Sequence, residues 1–314
     1  MSFTGVGEFI SRRIAADGWG KNTVGDLSRF IHARQPGLSG FSASNLWRMR
    51  QFYDIYVGRP KLAALLRELN WTQNLLILAR AKRSEEREFY LRLCSREKWT
   101  TRELERQLKG ALFERTVLSP PKLARVAKKL HPGAETIFKD TYLLDFLDLP
   151  EVHSEADLQR ALVASLKKFL IELGRDFAFV GEQYLLQVGG KDFRLDLLFY
   201  QRQLQCLVAF ELKIDEFQPE YLGKMEFYLE ALDRDVRKLH ERASIGVLLC
   251  ATKDNEVVEY ALSRAASPAL IAEYQTALPD KKLLQRKLHE FYQLASSVPD
   301  TNASSRPRKK LRKP

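Results

Sequence analysis

Three charged residues interrupt two apolar segments of the sequence. The segment "FRLDLLFY" contains Asp196, and the segment "FELKI" contains Glu211 and Lys213. Both segments have the composition of buried strands, and side chains alternate along a strand, so Glu211 and Lys213 point to the same face. Charges are costly to bury without partners. The three side chains therefore need either one another or a bound cation.

Two kinds of chemistry fit this pattern. In the first, Lys213 forms a structural ion pair with Glu211 or Asp196. In the second, a divalent cation lies between the two carboxylates and polarises a phosphodiester, while Lys213 orients the attacking water or stabilises developing negative charge. The E-x-K triplet alone is not specific, because about one is expected by chance in a chain of this length. Its position on the predicted central strand, one turn after the Asp196 strand, favours the metal site.

The helix predicted before these strands adds a third carboxylate. Glu155 lies three residues before Leu158 and so continues the apolar stripe of that helix. It could complete a metal site, although glutamate is also favoured in a first helical turn by the helix dipole. Gln159 shares this face and competes for the same role.

Polar residues after Lys213 are candidates for contact with phosphate. Lys224 and Tyr228 are i, i+4 neighbours on the next predicted helix and could face the same pocket. Ordinary surface placement is the alternative for both. Gln183, in "VGEQ", is a further polar candidate.

The elements around these residues follow a recognisable order. An amphipathic helix, "SEADLQRALVASLKKFLIELG", has a capping-box start at Ser154 and Asp157. Three strands joined by short turns come next, then a helix beginning near Pro219, then the uninterrupted apolar strand "SIGVLLCAT". A helix, a short strand and a closing helix complete the chain. The order α-β-β-β-α-β predicts an α/β domain.

The first half of the chain shows helical periodicity and almost no strand pattern. The segments "NTVGDLSRFI" and "FSASNLWRMRQFYDIY" predict two helices around a Pro- and Gly-containing loop, which is the outline of a helix-turn-helix. Ser42 or Ser44 can cap the second helix. The apolar stripe of that helix is Leu46, Met49, Tyr53 and Tyr56.

Three polar residues are predicted on the face opposite this stripe, Asn45, Arg48 and Gln51. Arginine, asparagine and glutamine are the side chains that read guanine and adenine edges in DNA. We expect this face to contact DNA. The alternatives are a solvated helix surface or a protein-binding surface.

Composition sets the limits of the domain organisation. The chain has 314 residues, of which 45% are hydrophobic and 29% charged, with a net charge of +11. We predict a helical DNA-binding or interaction domain at 1–148 with a linker near 118–150, an α/β domain at 149–296, and a disordered basic tail at 297–314.

The tail contributes six basic residues, which act either as an arm that grips DNA or as a solubilising segment. No signal peptide or membrane-length apolar run is apparent, and the three cysteines are widely spaced, so a cytoplasmic location is expected.

Several segments resemble one known family. "FRLDLLFY" and "FELKI" resemble motifs II and III of the PD-(D/E)XK nucleases. "LDLLFYQRQLQCLVAFELKIDEFQPEYLGKMEFYLEALD", "SIGVLLCATKDNEVVEYAL" and "GLSGFSASNLWRMRQFY" are similar to the YhcG-like bacterial proteins. The likeness spans about residues 15 to 295. It implies a helix-turn-helix-type N-terminal domain followed by a restriction-endonuclease-like αβββαβ domain with a mixed sheet.

Site roles follow from the same resemblance. It implies Asp196 and Glu211 as metal ligands, Lys213 as the catalytic lysine, and Glu155 in the acidic position of the first helix. Lys224 and Tyr228 match the Q-x-x-x-Y-like positions after motif III, and there Lys224 replaces glutamine. Leu195 replaces the proline of the motif name.

The working hypothesis is an endonuclease that depends on Mg²⁺ or Mn²⁺ and hydrolyses DNA phosphodiester bonds, on branched or foreign DNA. DNA is the expected partner, no membrane is involved, and a homodimer is compatible with the sequence. A catalytically silent DNA-binding or scaffold protein with a nuclease-like fold is the alternative, since folds are also retained without their chemistry. A small-molecule phosphoesterase fits less well with a helix-turn-helix and a basic tail.

Overall fold

The computed structural model describes residues 3–18, 21–150 and 152–297. The described residues divide into two compact units, one up to Leu108 and one from Lys109 onward, which are described separately below. The basic tail predicted at 297–314 lies outside the described residues, apart from Ser297 at the end of the last helix. None of the helices in the described ranges has the length and apolar character needed to cross a bilayer.

The N-terminal unit consists of helices. Their bounds are α1 (Phe3–Asp17), α2 (Lys21–Arg34), α3 (Ala43–Tyr56), α4 (Ala63–Glu68), α5 (Trp71–Arg80), α6 (Ser84–Glu97) and α7 (Thr101–Lys109). Ser42 is the N-cap of α3, because its side chain accepts a hydrogen bond from the backbone N–H of Asn45. Leu46 and Met49 of α3 pack with Ile10 and Val24 in a small core.

Helix α1 approaches α3 very closely at Gly7. A Cβ atom at this position would lie 2.2 Å from the carbonyl oxygen of Met49, so only glycine allows the two helices to pack. Residues 35–42 connect α2 and α3. This connection is longer than the turn of about three to four residues that is typical of a helix-turn-helix.

The C-terminal unit alternates helices and strands. Its elements are α8 (Leu112–Leu118), α9 (Arg125–Leu130), β1 (Thr141–Leu143), α10 (Glu155–Ala164), α11 (Leu166–Leu173), β2 (Phe177–Val188), β3 (Lys191–Gln201), β4 (Cys206–Leu212), α12 (Tyr221–Ala231), β5 (Ile245–Cys250), α13 (Asn255–Ser263), β6 (Ala269–Gln275) and α14 (Lys281–Ser297). A short π-helical segment, Leu232–Val236, continues α12.

The six strands form one mixed sheet in the order β1-β6-β5-β4-β3-β2. Strands β2, β3 and β4 are an antiparallel meander, whereas β4, β5, β6 and β1 are parallel. Every residue of β4 and β5 is buried, as expected for central strands covered on both faces. The predicted αβββαβ order with a mixed sheet is confirmed.

The long helix predicted over 154–174 is interrupted. Its start is as predicted, because Ser154 and Asp157 form a reciprocal capping box. The helix then breaks at Ser165, which lies at φ −104° and ψ 24°, and α11 begins after it. Leu158, Leu162 and Phe169 are nevertheless buried in one core, so the apolar stripe continues across the break.

The division between the units differs from the predicted boundary at 148. Residues 109–150 belong with the sheet and not with the N-terminal helices. Strand β1 pairs in parallel with β6, Leu123 forms an isolated bridge with Leu270, and the N–H of Ala124 donates to the carbonyl oxygen of Ala269 over 2.9 Å. The segment predicted to be a linker therefore supplies an edge of the sheet.

Candidate active site

Strands β3 and β4 bring two carboxylates to the same region of the sheet. The backbone N–H of Leu212 in β4 donates to Oδ2 of Asp196 in β3 over 2.8 Å. Glu211, the residue before Leu212, is only 1% exposed. The predicted convergence of Asp196 and Glu211 is thus present, and it is produced by pairing between adjacent antiparallel strands.

The two carboxylates are electrostatically strained. Burial raises the pKa of Glu211, and the nearby charge of Asp196 raises it further. Burial is also the main cause of the raised pKa of Asp196. The buried Oε2 of Glu211 accepts no hydrogen bond from any residue that the structure describes. An ionised pair at this position gains from a cation that neutralises it.

Lys213 lies just beyond the end of β4 and points its ammonium at this region. Its Nζ donates to Oε1 of Glu155 over 2.9 Å and to the carbonyl oxygen of Leu212 over 3.0 Å, and lies 3.6 Å from Oε1 of Glu211. Burial alone would lower the pKa of Lys213, but the Glu155 hydrogen bond and the charge of Glu211 give a net increase. Nζ also lies 5.3 Å from the centre of the Tyr221 ring.

Sequence reasoning did not single out Tyr221. It lies in the first turn of α12, three residues before Lys224, and residues with this spacing share a helix face. That spacing is the signal that could have found it. Its hydroxyl donates to Oδ2 of Asp215 over 2.7 Å, which fixes the ring beside the ammonium of Lys213.

The first-helix candidates both reach the site, with different contacts. Glu155 is partly exposed, with 45% of its side chain accessible, and its carboxylate is paired with Lys213. Gln159 is buried, and its Nε2 donates to the backbone carbonyl oxygen of Asp196 over 3.2 Å. Glu155 is therefore the available carboxylate, whereas Gln159 supports the backbone of β3.

Of the two predicted residues of α12, Lys224 contacts a carboxylate of the site and Tyr228 contacts the backbone of β3. The ammonium of Lys224 contacts Oε1 of Glu211 and lies 5.4 Å from the centre of the Tyr228 ring. The hydroxyl of Tyr228 donates to the carbonyl oxygen of Arg194 over 2.9 Å. Lys224 is half exposed, so its side chain connects the buried Glu211 with solvent.

Gln183 of β2 completes the polar contacts of the site. Its Nε2 donates to Oε1 of Gln159 over 2.8 Å and to Oδ1 of Asp196 over 3.3 Å. Both carboxylate oxygens of Asp196 thus accept hydrogen bonds from neighbouring strands.

The donor atoms of this site fit a hard divalent cation. Carboxylate oxygens are the ligands that Mg²⁺ and Mn²⁺ prefer, and Asp196 and Glu211 supply them, with one buried Glu211 oxygen left without a donor. Within the described ranges, no group of three or more His, Cys, Asp or Glu side chains is arranged to hold a metal ion. Two protein carboxylates are nevertheless sufficient for Mg²⁺, which commonly keeps several water ligands.

The three residues of α3 predicted to contact DNA bases differ in their exposure to solvent. Arg48 and Gln51 are exposed. Asn45 is half-buried, and its amide accepts a hydrogen bond from Nε1 of Trp71 over 3.1 Å and donates to the carbonyl oxygen of Gly40 over 2.5 Å. Asn45 is less open than Arg48 and Gln51, because its amide joins α3 to α5 and to the preceding loop, and its contact with DNA stays a prediction.

Two families of known domains match the chain. The YhcG PDDEXK nuclease domain matches residues 135–289, and the DUF1016 N-terminal domain matches residues 2–115. YhcG of Escherichia coli (strain K12), which is named as a candidate nuclease, is 33% identical over 316 residues, covering 90% of this chain and 83% of that protein.

Two solved structures align with part of the chain. A repair endonuclease from Pyrococcus abyssi is 14% identical, with a TM-score of 0.27, over 41% of this chain and 50% of that one. The EndoMS–dsDNA2 complex is 15% identical, with a TM-score of 0.26, over 42% of this chain and 49% of that one.

The observed αβββαβ topology and the matched domain define the class of the C-terminal unit, which is a PD-(D/E)XK nuclease domain. Identity over most of both chains identifies the family more closely. The chain belongs to the YhcG family.

Proposed function

We propose that this protein is a divalent-metal-dependent deoxyribonuclease that hydrolyses phosphodiester bonds at the Asp196–Glu211–Lys213 site. The observation that carries the proposal is Glu211, a buried carboxylate with a donor-free oxygen beside Asp196 and within 3.6 Å of an ammonium. A buried carboxylate oxygen without a hydrogen-bond donor is costly to maintain, and carboxylates with perturbed pKa values are concentrated at functional sites.

Asp196 and Glu211 would hold Mg²⁺ or Mn²⁺, and Glu155 is the further carboxylate within reach of Lys213. The cation, when bound, would polarise the phosphodiester and lower the pKa of water. The hydrogen bonds from Leu212 and Gln183 keep the Asp196 carboxylate in one orientation.

Lys213 would act directly on the reacting groups. Hydrolysis adds a water oxygen to phosphorus, breaks one P–O ester bond and places a proton on the leaving oxygen. The ammonium of Lys213 is held by Glu155 and the Leu212 carbonyl and would donate a hydrogen bond to a phosphate oxygen as negative charge develops. Lys224, half exposed at the edge of the site, would contact a neighbouring phosphate.

DNA binding would fall mainly to other parts of the chain. Residues 109–297 contain 26 basic and 28 acidic side chains, a net charge of −2, so this region offers no overall attraction for a polyanion. Residues 1–108 contain 19 basic and 11 acidic side chains, a net charge of +8. The exposed Arg48 and Gln51 of this unit are the proposed base-contacting residues, and branched or foreign DNA is the proposed substrate.

The test combines cleavage with metal binding. Asp196→Ala, Glu211→Ala and Lys213→Ala should each lower the single-turnover rate by at least about 100- to 1000-fold, the usual loss when a group that stabilises the transition state is removed. Rates are measured with Mg²⁺ and with Mn²⁺ on linear, nicked, flapped and four-way DNA. Lys191→Ala, an exposed lysine on the same strand as Asp196, is the matched control and should cleave like the wild type.

A silent scaffold is the second candidate, and one contact favours it. Lys224 pairs with Glu211 and Lys213 pairs with Glu155, so the carboxylates have protein cations as partners. Mn²⁺ calorimetry separates the two functions. A nuclease should bind Mn²⁺ and lose this binding in Asp196→Ala, whereas a scaffold should bind DNA and show no Mn²⁺ binding. Full cleavage by any of the three alanine variants would refute the assignment of Asp196, Glu211 and Lys213 as the active site.

A further inference from the structure

We propose that Gln183 is a positioning residue whose amide, brought opposite Asp196 by a bulge in β2, fixes the Asp196 carboxylate for metal binding. The inference rests on the metal site proposed above. It assigns a specific task to a side chain that would otherwise be an ordinary strand residue.

The register of β2 against β3 shifts by one residue between Phe179 and Gly181. Before the shift Phe179 pairs with Phe199, and continuing that register would place Glu182 opposite Asp196. After the shift Glu182 pairs with Leu197 and Tyr184 with Leu195, which leaves Gln183 opposite Asp196. The bulge thus replaces a carboxylate by a neutral amide at this point.

This replacement has a direct electrostatic consequence. Residues directly opposite one another in an antiparallel pair lie on the same face, and like charges there are destabilising. A glutamate at this point would add a third negative charge beside Asp196 and Glu211. Instead, Glu182 is exposed to solvent and Gln183 offers a hydrogen-bond donor.

The backbone of Gln183 is strained in order to do this. Its φ is +43°, in the left-handed region that non-glycine residues rarely adopt, and it occurs within a strand. Residues held in such conformations concentrate at sites where the strain serves a function. The hydrogen bonds of the Gln183 amide to Gln159 and Asp196 are the contacts that this conformation permits.

Three groups hold Asp196 through a continuous set of hydrogen bonds. Gln183 binds Oδ1 of Asp196, the Leu212 N–H binds Oδ2, and Gln159 binds the backbone carbonyl of Asp196 while accepting from Gln183. The carboxylate is thereby held from β2 and β4, and α10 holds the backbone that carries it. Groups that orient a ligand in this way change metal affinity when they are removed.

The experiment measures Mn²⁺ affinity by calorimetry in the full-length protein. Gln183→Met keeps the length of the side chain and removes the donor, and it should bind Mn²⁺ about 10-fold or more weakly. Gln183→Gly removes the donor and also the backbone strain, so its urea midpoint in EDTA should be at least that of the wild type while its Mn²⁺ affinity falls. Gln187→Met, on the exposed part of the same strand where the amide binds Asp192, is the control and should bind Mn²⁺ normally.

In Gln183→Gly, stability should be kept or raised while Mn²⁺ affinity falls. A purely structural role for Gln183 would not give this result. The inference is overturned if either Gln183 variant binds Mn²⁺ like the wild type, if Gln183→Gly loses stability and affinity together, or if Gln187→Met weakens binding equally. Asp196→Ala distinguishes failure of the proposed metal site from failure of the positioning role. If Asp196→Ala retains Mn²⁺ binding, the proposed metal site is wrong. If Asp196→Ala loses Mn²⁺ binding while the Gln183 variants keep it, only the positioning role of Gln183 is wrong.

Discussion

The two units of this protein distribute charge in opposite ways. The N-terminal unit has an excess of eight positive charges, and many of its charged side chains are exposed in i, i+4 pairs such as Arg12 with Glu8 and Arg92 with Glu88. The C-terminal unit has a net charge of −2 over residues 109–297, and its decisive charges, Glu211 and Lys213, are buried. Exposed charges are screened by salt, whereas buried ones are screened much less. The affinity for DNA should therefore depend on salt concentration, whereas the rate of cleavage in the bound complex should not.

The basic segment at the end of the chain provides the largest expected effect. Its six basic residues are Arg306, Arg308, Lys309, Lys310, Arg312 and Lys313. If three to six phosphates are engaged, deletion of residues 305–314 should make the slope of log K against log salt less negative by about 3 to 5. Cleavage per bound complex should not change, because the Asp196 site lies elsewhere in the sequence.

Affinity is measured at several salt concentrations for the full-length and the truncated protein. A full-length variant with all six basic residues replaced by serine controls for chain length and should behave like the truncation. Equal slopes for wild type and both variants would show that the N-terminal unit alone accounts for the salt dependence.

A smaller effect is expected from Arg48 in the N-terminal unit. Arg48→Ala should weaken DNA binding and, if the guanidinium contacts one phosphate, reduce the salt slope by about 0.9. A base contact should instead cost about 1 to 3 kcal/mol for the preferred sequence only. Mn²⁺ affinity should be unchanged in both cases.

The matched control for this change is Arg12→Ala, which removes the same charge from an exposed arginine of α1. Gel-shift titrations of both variants, with preferred and unrelated sequences, give the comparison. Identical binding by Arg48→Ala and the wild type would remove α3 from the DNA interface.

The smallest expected effect concerns stability and pH. The pKa of Asp196 is raised by burial, so the folded protein holds a proton there more tightly than the unfolded chain, and ionisation of Asp196 costs stability as pH rises above its ordinary value of 3.8. In EDTA, Asp196→Asn should therefore gain stability relative to the wild type as pH rises from 4 to 8, by about 1.4 kcal/mol if folding raises the pKa of Asp196 by one.

Urea unfolding at a series of pH values measures this difference. Asp192→Asn, which changes an exposed aspartate of the same strand, is the control for the substitution itself. A constant difference between Asp196→Asn and wild type over the whole pH range would mean that Asp196 ionises as readily in the folded protein as in the unfolded chain.

Local patterns in the sequence were sufficient for most of the C-terminal unit. The capping box at Ser154, the three strands of the meander and the convergence of Asp196, Glu211 and Lys213 follow from neighbouring residues and from the alternation of a strand. Because a hairpin pairs consecutive strands, the relation of Asp196 to Glu211 needed no information from distant parts of the chain.

Features that depend on distant residues were not predictable in this way. Strand β1 has three residues, and its pairing with β6 joins positions more than 120 residues apart in sequence. The amide of Asn45 is engaged by Trp71, which no pattern within α3 indicates. The bulge that places Gln183 opposite Asp196 is marked in the sequence only by Gly181, and a glycine within a strand does not specify the register that follows it.

The short strand β1 also protects the rest of the sheet. Without β1 and the Leu123 bridge, β6 would present unpaired N–H and carbonyl groups along its seven buried or half-buried residues, a template for strand addition by other chains. The segment at 109–150 is therefore a solubility element. A protein shortened to begin at residue 149 would retain the residues of the active site and gain an aggregation-prone edge.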